Sequence, residues 1–187
     1  MFNKVKILVV GPSESGKTVI SNFLADATES AGGDYHPTQG VRILEFEVDN
    51  LEMPGGSESI EVELWDCSGD NRFEMCWPSM QKDSNGVLFV YNPTRKSHES
   101  ELEKWHLHFA KEQGLRNEQC LMMAHVKPGN ENPKKAGIGG SLGKVRCVVT
   151  DLDNEPDNVR MSFNLFLRNV VALVSDRREQ EELSIIE

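Results

Sequence analysis

Gly11-Pro12-Ser13-Glu14-Ser15-Gly16-Lys17-Thr18 follows the spacing G-x-x-x-x-G-K-[ST], and the chemistry of that pattern is capture of a polyphosphate. Glycines at both ends let the backbone turn tightly, so successive amide N–H groups from Ser13, Glu14, Ser15 and Gly16 into the helix start form a concave anion site. Lys17 adds a point charge for the outer phosphates, and the Thr18 hydroxyl is a hard oxygen ligand suited to Mg²⁺. Asp66-Cys67-Ser68-Gly69 is the second element. Its carboxylate belongs near the ion and the Gly69 N–H near a γ-phosphate. An aspartate that ends a strand is commonly only a turn former; with the phosphate loop already upstream, the D-x-x-G reading takes precedence.

Such residues work only if a strand delivers the loop and a helix leaves it. Residues 5–10 are a short apolar run ending at Gly11 and predict a buried strand. Beyond Lys17, the helical spacing of Val19, Ile20, Phe23 and Leu24 predicts a helix that stops at Ser30-Ala31-Gly32-Gly33, with a polar loop over 31–40. Segments 41–48 and 60–65 alternate apolar with charged residues around Pro54-Gly55-Gly56, which predicts a hairpin with one wet face. Strands over 86–91, 120–124 and 144–150 and a helix around 99–112, with Leu102, Trp105 and Phe109 on one face, continue an alternating α/β pattern. Trp105 is expected in the core. The last helix is expected over 157–175, striped by Val159, Phe163, Phe166, Leu167, Val170 and Leu173, with Pro156 near its first turn. The expected organisation is one domain over 1–175 and a charged tail over 176–187, which extends the last helix or frays. Within the domain, residues 127–143, rich in Gly, Asn, Pro and Lys without helical period, are expected to be a flexible loop.

A chain of 187 residues suffices for one well-buried core. Its formal charge of −10 opposes binding to a nucleic-acid backbone or an anionic membrane, so a protein partner is expected. Cys67, Cys76, Cys120 and Cys147 lie far apart without C-x-x-C spacing, which predicts reduced thiols rather than a zinc or redox site. No apolar run approaches the roughly 18 residues of a membrane span. Phe2 stands where myristoylation needs glycine, and the final residues hold no cysteine for prenylation. A cytoplasmic chain without a direct membrane anchor is the expectation.

On these motifs the chain resembles the Ras and Rab small GTPases over nearly its whole length. Pro37-Thr38-Gln39-Gly40 is similar to the first switch, and residues 66–74 are similar to the second. More closely, G-P-S-E-S-G-K-T, Y-x-P-T-Q-G-V-R-I-L-E-F-E, E-L-W-D-C-S-G-D and Phe73-Glu74-Met75-Cys76-Trp77-Pro78 resemble the Rab-like GTPase subunits of intraflagellar transport complex B. That resemblance implies an α/β fold with a mostly parallel six-stranded sheet, one antiparallel strand and flanking helices. It implies GTP or GDP as ligand, with Mg²⁺ held by Thr18, Thr38 and Asp66 and the phosphates by Ser13 to Thr18, Thr38 and Gly69. It also implies work in the cilium or flagellum and at its base, beside coiled-coil subunits of the complex.

Three departures from the family pattern bear on function. Asp70 stands where competent hydrolases carry the glutamine that orients water, and Ser13 replaces a glycine and crowds the approach of an arginine finger, so unaided hydrolysis is expected to be slow. The guanine-reading N-K-x-D motif is replaced by His125-Val126-Lys127-Pro128, which removes the carboxylate that would bond the base. His125, Lys127 and Thr150 are the remaining base-site candidates: Lys127 through its alkyl stem, His125 as a hydrogen-bonding group or simply a solvated loop histidine. Third, the loop over 127–143 replaces the helix usual between the fifth and sixth strands. It either recovers some nucleotide contact or is a tolerated insert.

Phe73, Met75, Trp77 and Met80 cluster beside the second switch, where they dock a partner or pack on the sheet. His36, His98, His106 and His108 have no ligand arrangement typical of a metal site. Three functions stay in competition: a nucleotide-dependent binding module, a GTPase completed by a partner-supplied group, and a constitutive structural subunit that never switches. A P-loop kinase is the weaker alternative, since no lid or acceptor site is visible.

Overall fold

The strand β1 (Lys4–Val10) alternates its side chains between two helical layers, and that alternation organises the molecule. Val5, Ile7 and Val9 face α1 (Lys17–Leu24) and α4 (Pro156–Ile186), joining Ile20, Leu24, Phe163, Leu167 and Val170. Leu8 and Val10 face the opposite layer, where α2 (Trp77–Gln81) and α3 (Lys96–His106) contribute Trp77, Met80, Leu102 and Trp105. The computed structural model describes residues 4–27, 36–127, 129 and 138–186. Residues 31–35 of the loop expected over 31–40, most of 127–143 including Pro128, and the last residue of the tail lie outside them.

Among the described residues the sheet has six strands in the order β2-β3-β1-β4-β5-β6. β2 (Val41–Met53) and β3 (Gly56–Cys67) pair antiparallel; β3, β1, β4 (Gly86–Tyr91), β5 (Cys120–His125) and β6 (Arg146–Thr150) pair parallel. The expected fold is therefore the observed one. Because the five parallel strands point the same way, the segments leaving β1, β3, β4, β5 and β6 gather along one sheet edge. The chain leaves β1 toward β3 on one side and reaches β4 on the other, which opens a crevice at the end of β1.

Several elements run beyond their expected bounds for identifiable reasons. The hairpin continues past residue 48 because its register shifts between Val48 and Leu51, with Asn50 at φ 54°. The polar Asp49-Asn50 pair is absorbed as a bulge instead of ending the strand. α3 begins at Lys96 and passes into a π turn over Leu107–Lys111, which keeps Phe109 in the core with Trp105. α4 extends through the charged stretch to Ile186, with Arg177 and Glu181 paired at 2.9 Å one turn apart, so residues 176–182 are helix. Between β5 and β6, the described part of the expected loop forms a 3-10 turn, Gly140–Leu142, anchored by the buried Leu142.

Candidate functional site

The phosphate loop begins where β1 is clamped between β3 and β4. Gly11 has φ 143°, and a Cβ there would sit 2.1 Å from the Val90 carbonyl oxygen of β4. Only glycine permits that approach. At the other end Gly16 has φ 100° and precedes α1. Lys17, buried at the first turn of α1, folds back over the loop and donates to the Gly11 carbonyl at 3.0 Å and the Pro12 carbonyl at 2.6 Å. Burial lowers its pKa to about 8, with Asp66 the largest opposing charge.

The three residues proposed for a magnesium ion, drawn from α1, the segment before β2 and the end of β3, meet in one place. Thr18 Oγ1 donates to Asp66 Oδ2 at 2.8 Å and lies 3.0 Å from Thr38 Oγ1. Asp66 is fully buried. Two hydroxyls and one carboxylate are a hard oxygen set, the donor chemistry Mg²⁺ prefers, so these residues fit the ion. Arg42 also reaches this cluster: its guanidinium lies 3.5 Å from Asp66 Oδ2 and hydrogen-bonds Asn22 of α1. Sequence reasoning missed Arg42, although the hairpin register pairs it directly across from Asp66.

Gly69 lies against the phosphate loop. A Cβ on it would come within 2.5 Å of the Ser13 amide nitrogen and 2.7 Å of the Gly11 carbonyl oxygen. Asp70, next in the chain, caps the 3-10 turn Asn71–Cys76: its carboxylate accepts from the Arg72 amide at 2.9 Å and from Arg72 Nε at 2.8 Å. Those contacts hold its pKa below the ordinary carboxylate value. The role assigned by the structure is that of a turn cap.

The base-site candidates separate. His125 ends β5 and is 4% exposed, so it is not a solvated loop histidine. Its ring packs under the phosphate loop, where a Cβ on Gly16 would lie 2.3 Å from His125 Cδ2, and its Nδ1 lies 3.2 Å from Thr150 Oγ1. Burial, the first cause, lowers its pKa. Lys127 is half-buried just beyond. Asp151 forms a tight turn, accepting from the Asp153 and Asn154 amides and from Asn154 Nδ2.

The apolar cluster beside the second switch divides as well. Trp77 and Met80 belong to the core, the Trp77 ring centroid lying 4.9 Å from that of the tilted Trp105 ring and 5.1 Å from that of the edge-on Phe109 ring. Phe73 is half-buried, whereas Met75 is 93% exposed. Trp105 is core, as expected. His98 is buried and accepts from the Asn92 amide, and no cluster typical of His, Cys, Asp and Glu metal sites occurs among the described residues. A cleft of about 720 Å³ lies elsewhere, between the base of the sheet and the end of α4, and its lining includes none of the phosphate-loop residues.

A strand feeding a glycine loop and helix, an antiparallel β2 on a parallel sheet, and hydroxyl and carboxylate groups gathered at the loop define a Ras-type P-loop domain. In keeping with that class, residues 6–127 match the family model for the Roc (Ras of Complex) domain of DAPkinase. The chain is 51% identical to the Danio rerio protein named intraflagellar transport protein 22 homolog and 42% identical to the Homo sapiens homolog, each over 98% of both chains. It is 30% identical to intraflagellar transport protein 22 of Trypanosoma brucei brucei, over 90% of this chain and 86% of that one. Among solved structures, GTP-bound T. brucei IFT22 superposes with TM-score 0.67 at 29% identity, covering 90% of this chain and 95% of the other. GTP-bound T. brucei IFT22/74/81 superposes with TM-score 0.78 at 30% identity, covering 93% and 98%. The chain belongs to the intraflagellar transport protein 22 family of Ras-like GTPase domains.

Proposed function

We propose that this chain is a Mg²⁺-dependent guanine-nucleotide-binding subunit of intraflagellar transport complex B, working in the cilium or flagellum through contacts with other subunits of the complex. The observation that carries the reading is the convergence of Thr18, Thr38 and Asp66 beside Lys17 and Gly69. The amides of residues 13–18 and Lys17 would hold the phosphates. Thr18, Thr38 and Asp66 would hold the ion, whose chemistry there is neutralisation of β- and γ-phosphate charge. Kinship with the T. brucei IFT22 structures, solved with GTP and with GDP, supports guanine nucleotide as the ligand. The assembly named IFT22/74/81 supports protein partners of that kind, for which coiled-coil subunits are the proposal.

Hydrolysis without help is expected to be slow, because the carboxylate of Asp70 is committed to Arg72. The base would be met near Lys127 and the β6–α4 turn, with His125 and Thr150 supporting the floor beneath. Calorimetric titration of the nucleotide-free chain with GTP, GDP and ATP, with Mg²⁺ and with chelator, tests the reading. Guanine nucleotides are expected to bind more tightly than ATP, and Thr18→Ala is expected to erase the difference between Mg²⁺ and chelator. Failure of any nucleotide to bind would overturn the proposal and leave a structural subunit.

A further inference from the structure

Glu14 brings a negative charge into a loop built to attract anions. It sits between Ser13 and Ser15 at φ 59°, in the left-handed region that side chains other than glycine seldom adopt. A carboxylate carried on this loop stands in the field of any phosphate bound to the loop amides. Glu14 does not stand alone: Arg95, at the start of α3 beyond β4, places a guanidinium nitrogen 2.8 Å from Glu14 Oε2. The order β1-β4 makes this possible, since the loops leaving these neighbouring strands share one edge.

The surroundings place the pair in the ligand's field. The pKa of buried His98 is lowered first by burial and then by the charges of Arg95, Lys17 and Lys127, while Glu14 opposes them. All four charges thus share one neighbourhood with that ring. Both partners of the ion pair are about half exposed, with side-chain exposures of 47% and 48%. A pair so exposed contributes little to folding. Its charges nonetheless act over several ångströms on a ligand that carries three or four negative charges.

We propose that Arg95 is a positioning residue for the nucleotide, one that cancels the repulsion between Glu14 and the bound phosphates and so sustains affinity, for the triphosphate more than the diphosphate. The inference rests on the nucleotide-binding reading above. It assigns Arg95 an electrostatic task exercised through Glu14, with no contact between Arg95 and the phosphates required.

The test is equilibrium binding of a fluorescent nonhydrolysable GTP analogue and of GDP, with Mg²⁺, to the full chain and its variants at low and high salt. Arg95→Ala is expected to weaken the GTP analogue roughly three- to thirtyfold and GDP by less, with the loss shrinking at high salt. Arg95→Lys retains the charge and is expected to retain affinity. Glu14→Gln combined with Arg95→Ala is expected to bring affinity back to within about twofold of wild type, because the repelling charge is gone. Thermal unfolding is expected to be unchanged in all of these variants. If wild type binds and Arg95→Ala binds equally well, the inference is overturned. It is also overturned if the double variant binds as weakly as Arg95→Ala, since Arg95 would then act without Glu14. A wild-type chain that binds no nucleotide overturns the underlying reading and this inference with it.

Discussion

His125 and Thr150, paired across the ends of β5 and β6, meet at 3.2 Å, and the other edge of the His125 ring lies against Gly16 of the phosphate loop. The contact ties the floor of the candidate base site to the loop expected to hold phosphate. A Cβ at Gly16 would collide with the His125 ring and would also strain a backbone at φ 100°. Gly16→Ala is therefore expected to weaken nucleotide binding more than tenfold. Truncating His125 removes the collision while leaving Thr150 Oγ1 buried, at a cost of about 1–3 kcal/mol on its own. A double-mutant cycle by urea denaturation is the check: Gly16→Ala is expected to destabilise the His125→Ala background less than wild type. Equal costs in both backgrounds would show that His125 does not support the loop.

Acid is expected to destabilise the fold through buried histidines. His98, His106 and His125 are each buried, and burial is the first cause of a pKa lowered from 6.5. The sign follows from proton counting. Below about pH 6.5 the unfolded chain binds more protons than the folded one, so the stability present above that pH is lost as pH falls. Glu63, Asp70 and Asp151, held below their ordinary values, add a loss in the same direction nearer the carboxylate range. The urea midpoint is expected to drop from about pH 7 to about pH 5.5. His106→Phe is expected to flatten that slope, because His106 packs edge-on against Phe89 and its Nδ1 has no hydrogen-bond partner among the described residues. A slope unchanged in this variant would remove His106 from the account.

The parts of this site legible in the sequence are those fixed by short covalent spacing. Gly11 to Thr18 must turn as one loop between strand and helix, and Asp66 must leave β3 three residues before Gly69; both arrangements are observed. Relationships set by packing were hidden. Nothing in the spacing of His125 says that its ring lies under Gly16, because that depends on how β5 sits beside β4. Arg95 and Glu14 are far apart in sequence and are joined only by the order of the strands. The hairpin was underestimated because polar Asp49-Asn50 mimics a strand end until a bulge accommodates it. For Trp77 and Met80 the sequence leaves docking and packing both open, because a five-residue helix is too short for its periodicity to reveal a buried face.

Placing at Asp70 the glutamine of competent small GTPases is expected to do little for hydrolysis. The short Asp70 side chain closes onto the amide two residues ahead and pairs with Arg72, and a glutamine is too long to repeat that cap. Asp70→Gln would release Arg72 and loosen the turn over Asn71–Cys76 on which an ordered glutamine depends. Ser13 would still crowd the loop. Single-turnover phosphate release is expected to stay within about tenfold of wild type, while hydrogen exchange over residues 71–76 rises. A rise of a hundredfold or more would mean that the missing glutamine was the sole obstacle.

Met75 and Trp77 stand two residues apart and are expected to fail in opposite ways. Trp77 is enclosed by Trp105 and Phe109, with Lys104 lying 5.0 Å over its ring, so Trp77→Ala opens a core cavity at a cost of about 3–5 kcal/mol. Met75 touches no such core and is 93% exposed, yet it lies on the turn that leads from Gly69 into α2. A flexible thioether displayed on the turn that follows Gly69 suits docking of an apolar partner surface. Met75→Glu is expected to leave the unfolding free energy within about 0.5 kcal/mol of wild type and to weaken co-purification with the other complex subunits, in nucleotide-loaded form, at least tenfold. Should Met75→Glu assemble normally, the partner contact would have to lie away from this turn, and only Trp77 of the pair would retain an assigned role, in folding.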